Sequence, residues 1–410
     1  MKRLITGNGA AAWGARLSSV DYVPAFPITP QTEIIETIAA WISKNKMDCR
    51  MVTMDSEHSM ITAAGAAAAT GVRAFTATSS QGLLYGMEML YTVSGWRAPF
   101  VLVNVSRGLS APITLESDHN DVFAARDSGF LQIHCSTCQE VLDSVIMAYR
   151  LAEDERVRLP VLVNLDGFYL SFTREPVEIP DKKDVTRFLP PFDPEETHFK
   201  AQDPISQAVV VLGGTQYSYF RYEMHLASLN ALEVFREIAW EFQEIFKRSY
   251  APLDTYRAED ADWIFFMTGS FSTKAMDAVD SLREGGIAAG LVRPRLIRPF
   301  PEKDIYEAIK GKKGVAVVDQ NISMGKGGVL YSELSSTLYG KSYAPEVILS
   351  FMGGLGGRDI SQEEFFEMAE HMIKAKETGK IPGPRLLYTN DELFTMHGLQ
   401  SIARLERGER

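Results

Sequence analysis

Several short stretches of the chain put reactive side chains at the ends of predicted strands. In the run Phe-Pro-Ile-Thr-Pro, Thr29 offers a hydroxyl between two rigid residues, Pro27 and Pro30. Thr29 suits a helix N-cap and Pro30 the first helical position, which makes the stretch a strand-to-helix turn. Capping does not require Pro27, and the two prolines together fix the hydroxyl at the carboxyl end of a strand, where open α/β sheets receive ligands. Glu57 stands at a second strand-to-helix junction and opens a helix made mostly of Ala and Gly. Small side chains there admit another backbone, another subunit or a flat ligand, while the carboxylate equally complements a helix amino terminus. The stretch Thr-Ser-Ser-Gln-Gly, with Ser80 and Gln81, repeats the polar strand end and helix start. Arg107 follows an apolar strand, where it serves either an anion or an ordinary ion pair. Strand ends pointing one way would gather hydroxyl, carboxylate and guanidinium into one site.

Such a site needs parallel strands. Short apolar runs alternate with helical patterns from DYVPAF through PVLVNLDGF, which predicts an open α/β sheet over residues 1–185. Residues 178–204 are rich in proline and charge and read as a connector, with FLPPFDPEE unable to hold a regular helix. Apolar spacing then predicts a long bridging helix over residues 222–250. The alternation restarts at DWIFFMTGS and continues in a smaller α/β unit over residues 258–376. A weakly patterned tail follows, with a helix expected over residues 391–406.

Composition narrows the function. Hydrophobic residues at 45% and charged residues at 23% fit a globular chain and exclude disorder or a membrane bundle. A net charge of −11 repels phosphate backbones and anionic membranes, so neither nucleic acid nor a membrane is an expected partner. The first residues hold no signal-peptide apolar core, and the expected location is the cytoplasm. Cys49, Cys135 and Cys138 make no disulfide framework, and His-Cys-Ser-Thr-Cys at 134–138 lacks the second ligand pair of a structural metal site. Gly-Asn-Gly at 7–9 fails the dinucleotide fingerprint on spacing. The glycines at 325–328 suit either an anion at a helix start or a tight turn.

Segments spread over almost the whole chain resemble the alpha subunit of the 2-oxoacid:ferredoxin oxidoreductases, the pyruvate synthase group. Among them are FPITPQTEIIE, SEHSMITAAGAAAATGVRAFTATSSQGL, NVSRGLSAPI, DHNDVFAARDSGF, GLVRPRLIRPFP and GGLGGRDI. The resemblance implies that residues 1–240 form a pyrimidine-type thiamine diphosphate-binding domain, an open parallel sheet with connector and bridging helix at its end. It implies a transketolase C-terminal-like α/β domain over residues 258–376 and a tail over 377–410. By the same resemblance Thr29 hydrogen-bonds a 2-oxoacid, Glu57 contacts the aminopyrimidine, Arg107 pairs with the substrate carboxylate, and Pro27, Ser80 and Gln81 lie beside the cofactor. Those roles are chemically coherent: a glutamate on the pyrimidine helps to remove a thiazolium proton, and a planar guanidinium grips a carboxylate at two points.

The chain has no Gly-Asp-Gly with a downstream asparagine and no cysteine cluster. The resemblance therefore implies half of an active site, completed by a beta subunit that supplies magnesium and diphosphate binding. Iron-sulfur clusters would lie in ferredoxin-like and gamma-type partner subunits, with coenzyme A as cosubstrate and ferredoxin or a similar acceptor taking electrons. Pyruvate leads as substrate. Phe26 and Gly108 stand where tyrosine and alanine are usual, and TLESDHND replaces a more apolar segment, which keeps branched-chain or aryl 2-oxoacids open. A noncatalytic scaffold subunit is the remaining alternative.

Overall fold

A computed structural model describes residues 1–194, 201–202, 204–207 and 210–396. Its first sheet runs in spatial order Leu296–Arg298, Leu131–His134, Val161–Asp166, Val101–Ser106, Phe75–Thr78. The last four of these strands are mutually parallel. A bridge from Ala74 to Tyr22 carries the sheet on to the parallel pair Tyr22–Ala25 and Arg50–Thr53. Val101–Ser106 and Val161–Asp166 are buried along their whole length, which is why they read as largely apolar runs with polar residues only toward their carboxyl ends: helices cover both faces of a parallel sheet.

Gly-Asn-Gly belongs to the helix Gly7–Leu17, capped by the Thr6 hydroxyl, which accepts from the Gly9 N–H at 2.9 Å. That helix lies in the main core with the fully apolar face of Cys138–Glu153. The connector is less irregular than expected, since the short helix Lys182–Phe188 forms behind an Asp181 cap. Its residues 195–200 and 203 lie outside the described residues. The bridging helix is Gly214–Phe246, starting eight residues earlier than the apolar spacing predicts; its buried face is Ala227, Ala231, Val234, Phe235, Ile238, Ala239 and Phe242. The exposed first turns carry no core spacing, so their helicity could not be read from periodicity.

The second sheet is ordered Arg385–Leu386, Val347–Met352, Gly314–Asp319, Trp263–Phe266, Ala289–Pro294, Leu253–Tyr256, parallel except for the last strand. Of the tail helix, Asn390–Met396 is present and residues 397–410 lie outside the described residues. None of the described helices is long and apolar enough to cross a membrane.

The two sheets are joined by the chain itself. After Ala289–Pro294 it leaves the second sheet, and Leu296–Arg298 adds an antiparallel edge strand to the first. Arg293 and Arg295, on either side of Pro294, are both buried at this crossing and share the Glu140 carboxylate at 3.0 and 2.5 Å, with Asp254 bonding to both. Glu140 also accepts from the Ser136 N–H and hydroxyl at 2.8 and 2.7 Å. Burial alone would raise the Glu140 pKa, but the two guanidinium groups outweigh it and hold the carboxyl well below the usual range. Removing one member of such a cluster strands charge in a dry environment. Glu140→Gln should therefore lower stability to urea by about 3 kcal/mol, and an unchanged unfolding midpoint would show that the crossing does not depend on this carboxylate.

Candidate functional site

Parallel pairing brings the carboxyl ends of three strands side by side, with Thr78 opposite Asn104, Asn104 opposite Asn164 and Ser106 opposite Asp166. The helix Ser80–Tyr85 and the Arg107 side chain both start from this edge. Arg107 is 5% exposed. Its Nη1 donates to the Thr29 carbonyl at 2.8 Å and its Nη2 to Gln81 Oε1. Burial draws the guanidinium below its ordinary pKa, and Asp121 opposes that shift. Ser80 Oγ lies 2.7 Å from Gln81 Oε1 and 2.9 Å from the Gly108 carbonyl, while Gln81 Nε2 donates to Ser110 Oγ at 2.8 Å. Thr29, Ser80, Gln81 and Arg107 are thus one hydrogen-bonded group.

Glu57 opens the helix Glu57–Ala69 behind the Ser56 cap and is nearly buried. It meets the same group from the far side of Ser80–Tyr85. A Cβ on Gly82 would fall 2.4 Å from Glu57 Oε1 and 2.6 Å from Thr78 Oγ1, so only glycine lets that helix pass so close to the carboxylate. Thr78 Oγ1, Ser79 Oγ and Arg107 Nε are buried here and find no partner among the described residues. Buried polar atoms ordinarily have partners, so three together mark a place for a polar ligand.

The proline turn is built differently from the expectation. Thr29 does not cap the next helix and Pro30 is not its first residue: the helix is Thr32–Ser43, with Gln31 at the N-cap and a cis Thr29–Pro30 peptide before it. Side-chain amides hold the turn instead. Gln31 Nε2 donates to the Phe26 carbonyl and Asn8 Nδ2 to the Pro30 carbonyl, each at 2.9 Å. Thr29 and Pro27 are both exposed, and the Thr29 carbonyl accepts from Arg107.

Beneath the edge lies a buried polar layer that the motif reading missed. Asp121 Oδ2 accepts from the Ser80 N–H at 2.9 Å, the Arg107 N–H at 3.3 Å and Asn104 Nδ2 at 3.1 Å. Asn104 Nδ2 also donates to Asn164 Oδ1 at 2.9 Å, which accepts from the Ser106 hydroxyl at 2.6 Å. Burial pushes Asp121 up to about 6; Asp118 adds to the rise, while the bonds from Asn104, Ser80 and Val122 oppose it. The available signal was the repeated Val-Leu-Val-Asn of residues 101–104 and 161–164, a polar residue at matching places in two apolar strands.

Gly108 does not open extra room. A Cβ there would lie 2.5 Å from Thr114 Cγ2 and 3.0 Å from Asp118 Oδ2, so the space is already filled by residues 114–118. The helix start after residues 325–328 is also occupied, because Asp319 accepts from the Leu330 and Tyr331 N–H groups at 2.7 and 3.2 Å. Cys135 and Cys138 are buried, with thiol pKa values raised chiefly by that burial. Among the described residues no group of three or more His, Cys, Asp or Glu could hold a metal ion.

Residues 13–242 match the family described as "Pyruvate flavodoxin/ferredoxin oxidoreductase, thiamine diP-bdg", and residues 261–365 match "Pyruvate:ferredoxin oxidoreductase core domain II". The pyruvate synthase subunit PorA of Methanocaldococcus jannaschii is 40% identical over 382 residues, 92% of this chain and 97% of that relative. The ketoisovalerate oxidoreductase subunit VorA of Pyrococcus horikoshii is 38% identical over 382 residues, 93% of this chain and 96% of that relative. In fold, the chain is similar to the 2-oxoglutarate:ferredoxin oxidoreductase from Magnetococcus marinus, solved with 2-oxoglutarate, coenzyme A and succinyl-CoA bound, at a TM-score of 0.71 and 19% identity. That match covers 91% of this chain and 65% of the larger protein's chain. With more than half its length matched by the thiamine diphosphate-binding family and a close relative along nearly all of it, the chain belongs to the pyruvate:ferredoxin oxidoreductase family, as the alpha subunit of a 2-oxoacid:ferredoxin oxidoreductase.

Proposed function

We propose that this chain supplies the pyrimidine side of a thiamine diphosphate site that oxidatively decarboxylates pyruvate to an acyl-CoA. Residues 1–240 are the pyrimidine-type domain in this reading and residues 258–376 the transketolase C-terminal-like one. The observation that carries it is the convergence of Glu57 with the partnerless buried atoms of Thr78, Ser79 and Arg107 on one sheet edge. Those residues fit the cofactor's flat, hydrogen-bonding end: Glu57 and the Thr78 hydroxyl both face Gly82, and the Ser79 hydroxyl next in the chain is likewise without a partner among the described residues. When bound, the cofactor supplies the nucleophilic carbon that attacks the 2-oxo group.

The remaining work falls to this chain's own side chains. Glu57 holds a proton in exchange with the aminopyrimidine, and Pro27, Ser80 and Gln81 line the same space. Arg107 has a free Nε beside an Nη2 held only by Gln81, a pair that can grip the substrate carboxylate side-on once Gln81 gives way. The Thr29 hydroxyl bonds the 2-oxo acid from the turn above. Decarboxylation removes the anion that Arg107 grips, so the same contact that orients the substrate ceases to retain the product.

The chemistry is balanced by partners. The carboxylate leaves as carbon dioxide, the acyl carbon gives up two electrons to ferredoxin or a similar acceptor, and coenzyme A takes the acyl group and releases its thiol proton. The sequence holds no Gly-Asp-Gly with a downstream asparagine, the pattern by which thiamine enzymes hold diphosphate and magnesium. A beta subunit is assigned that task, and ferredoxin-like and gamma-type subunits carry the iron-sulfur clusters. Pyruvate is taken as the substrate because pyruvate synthase subunits PorA stand among the chain's most similar relatives.

In the assembled enzyme, Glu57→Gln should lower kcat by about 100-fold or more while the complex still assembles; near-normal turnover would leave this chain a scaffold. Gly82→Ala should weaken thiamine diphosphate binding measured by titration calorimetry, because its methyl group displaces Glu57, and unaltered affinity would place the cofactor elsewhere. Arg107→Lys should raise the KM for pyruvate by about tenfold or more through loss of the planar fork. An unchanged KM across a panel of 2-oxoacids would remove Arg107 from the site.

A further inference from the structure

The site rests on a segment that reaches across to the second sheet. Within residues 117–121, the Ser117 carbonyl accepts from the Gly357 N–H at 2.7 Å, the His119 N–H donates to the Gln320 carbonyl at 2.8 Å, and Asn120 Oδ1 accepts from the Ile322 N–H at 3.0 Å. His119 is wholly enclosed and bonds Asp166 at 2.6 Å, and Asp166 in turn accepts from the Ser270 N–H at 2.7 Å. Three direct attachments, and a fourth relayed through Asp166, therefore fix this segment to loops of the second sheet. Its last residue, Asp121, then accepts from the backbone N–H groups of both Ser80 and Arg107.

Those two N–H groups begin the two elements that carry the candidate site. Ser80 has a φ of 48°, in the left-handed region that a residue with a side chain seldom occupies. Such backbone persists only where its surroundings over-determine it, and the bond to Asp121 is the side-chain bond made by that residue's own N–H. A neutral amide oxygen would accept the same bonds more weakly than a carboxylate does. Arg107, Asp118 and His119 are the charged or titratable groups that act electrostatically on this carboxylate, and none of them makes a direct side-chain bond to it among the described residues.

We propose that Asp121 is a positioning residue for the 2-oxoacid reaction, its carboxylate setting the backbone from which Arg107 reaches the substrate and tying that backbone to the second sheet. This rests on the reading of Arg107 as the carboxylate-binding residue. Asp121 acts through Arg107 and Ser80 and touches neither substrate nor cofactor.

The test is a double-mutant cycle in the assembled enzyme with its partner subunits, using pyruvate and thiamine diphosphate as probes. Asp121→Asn keeps the shape and replaces one carboxylate oxygen with a donor. It should raise the KM for pyruvate by about tenfold and change kcat by about threefold or less. In an Arg107→Ala background the same substitution should add less than about twofold, because the residue it positions is gone. An equal fold-change in both backgrounds, together with a lowered thermal unfolding midpoint, would overturn the positioning role and leave Arg107 in the site. If instead Arg107→Ala binds pyruvate like the parent, the reading of Arg107 falls and this inference with it. Should Asp121→Asn fail to assemble, Asp121→Glu, which keeps the charge but shifts the acceptor, is carried through the same cycle with the same two criteria.

Discussion

One buried carboxylate carries much of the candidate site. Asp121 sits under the carboxyl edge of a parallel sheet, where strands end and backbone N–H groups turn inward without sheet partners. Each such group is costly when buried and unbonded, by roughly 1–3 kcal/mol. Asp121 accepts two of them and an asparagine amide besides, and the neighbouring Asn104, Asn164 and Ser106 satisfy one another. Without that layer the strand ends could not stay both dry and side by side. Arg107 and the helix bearing Ser80 and Gln81 rest on that closed layer, with Arg107 and Ser80 themselves buried.

The second sheet contributes by position. The Arg293, Arg295, Glu140 and Asp254 cluster stands where the chain passes from one sheet to the other, and four hydrogen-bonded attachments join residues 117–121 and Asp166 to loops of the second sheet. Burial by itself would strip the proton from His119, but Asp166, with Asp121 and Asp118 beyond it, holds the imidazole pKa above its ordinary value. Charged pairs of this kind add little net stability against apolar packing, yet they tolerate only one relative placement of their partners. They suit a seam that must hold two sheets in register.

The edge offers hydroxyls, a carboxylate and a guanidinium, groups that suit a polar, planar ligand. The matched thiamine diphosphate-binding region and the second core region together account for most of the chain. Ile113 and Leu115, on the segment that packs against Gly108, are exposed and leave apolar surface beside this edge.

Much of this was legible in the sequence alone. The parallel α/β fold followed from mostly apolar buried strands such as Val161–Asp166, alternating with helical patterns. Glu57 at a helix start and Arg107 after a strand were both visible, because strand ends and helix starts have local signatures. Tertiary structure decided the rest. It alone showed that the proline turn is held by Asn8 and Gln31 and not by a Thr29 cap, and that the space beside Gly108 is taken by Thr114. It alone brought Asp121 under Ser80 and Arg107, residues 41 and 14 positions away. Local spacing encodes which face a residue takes within one element; which buried donors meet which acceptor depends on how distant elements pack, and no short window of sequence contains that information.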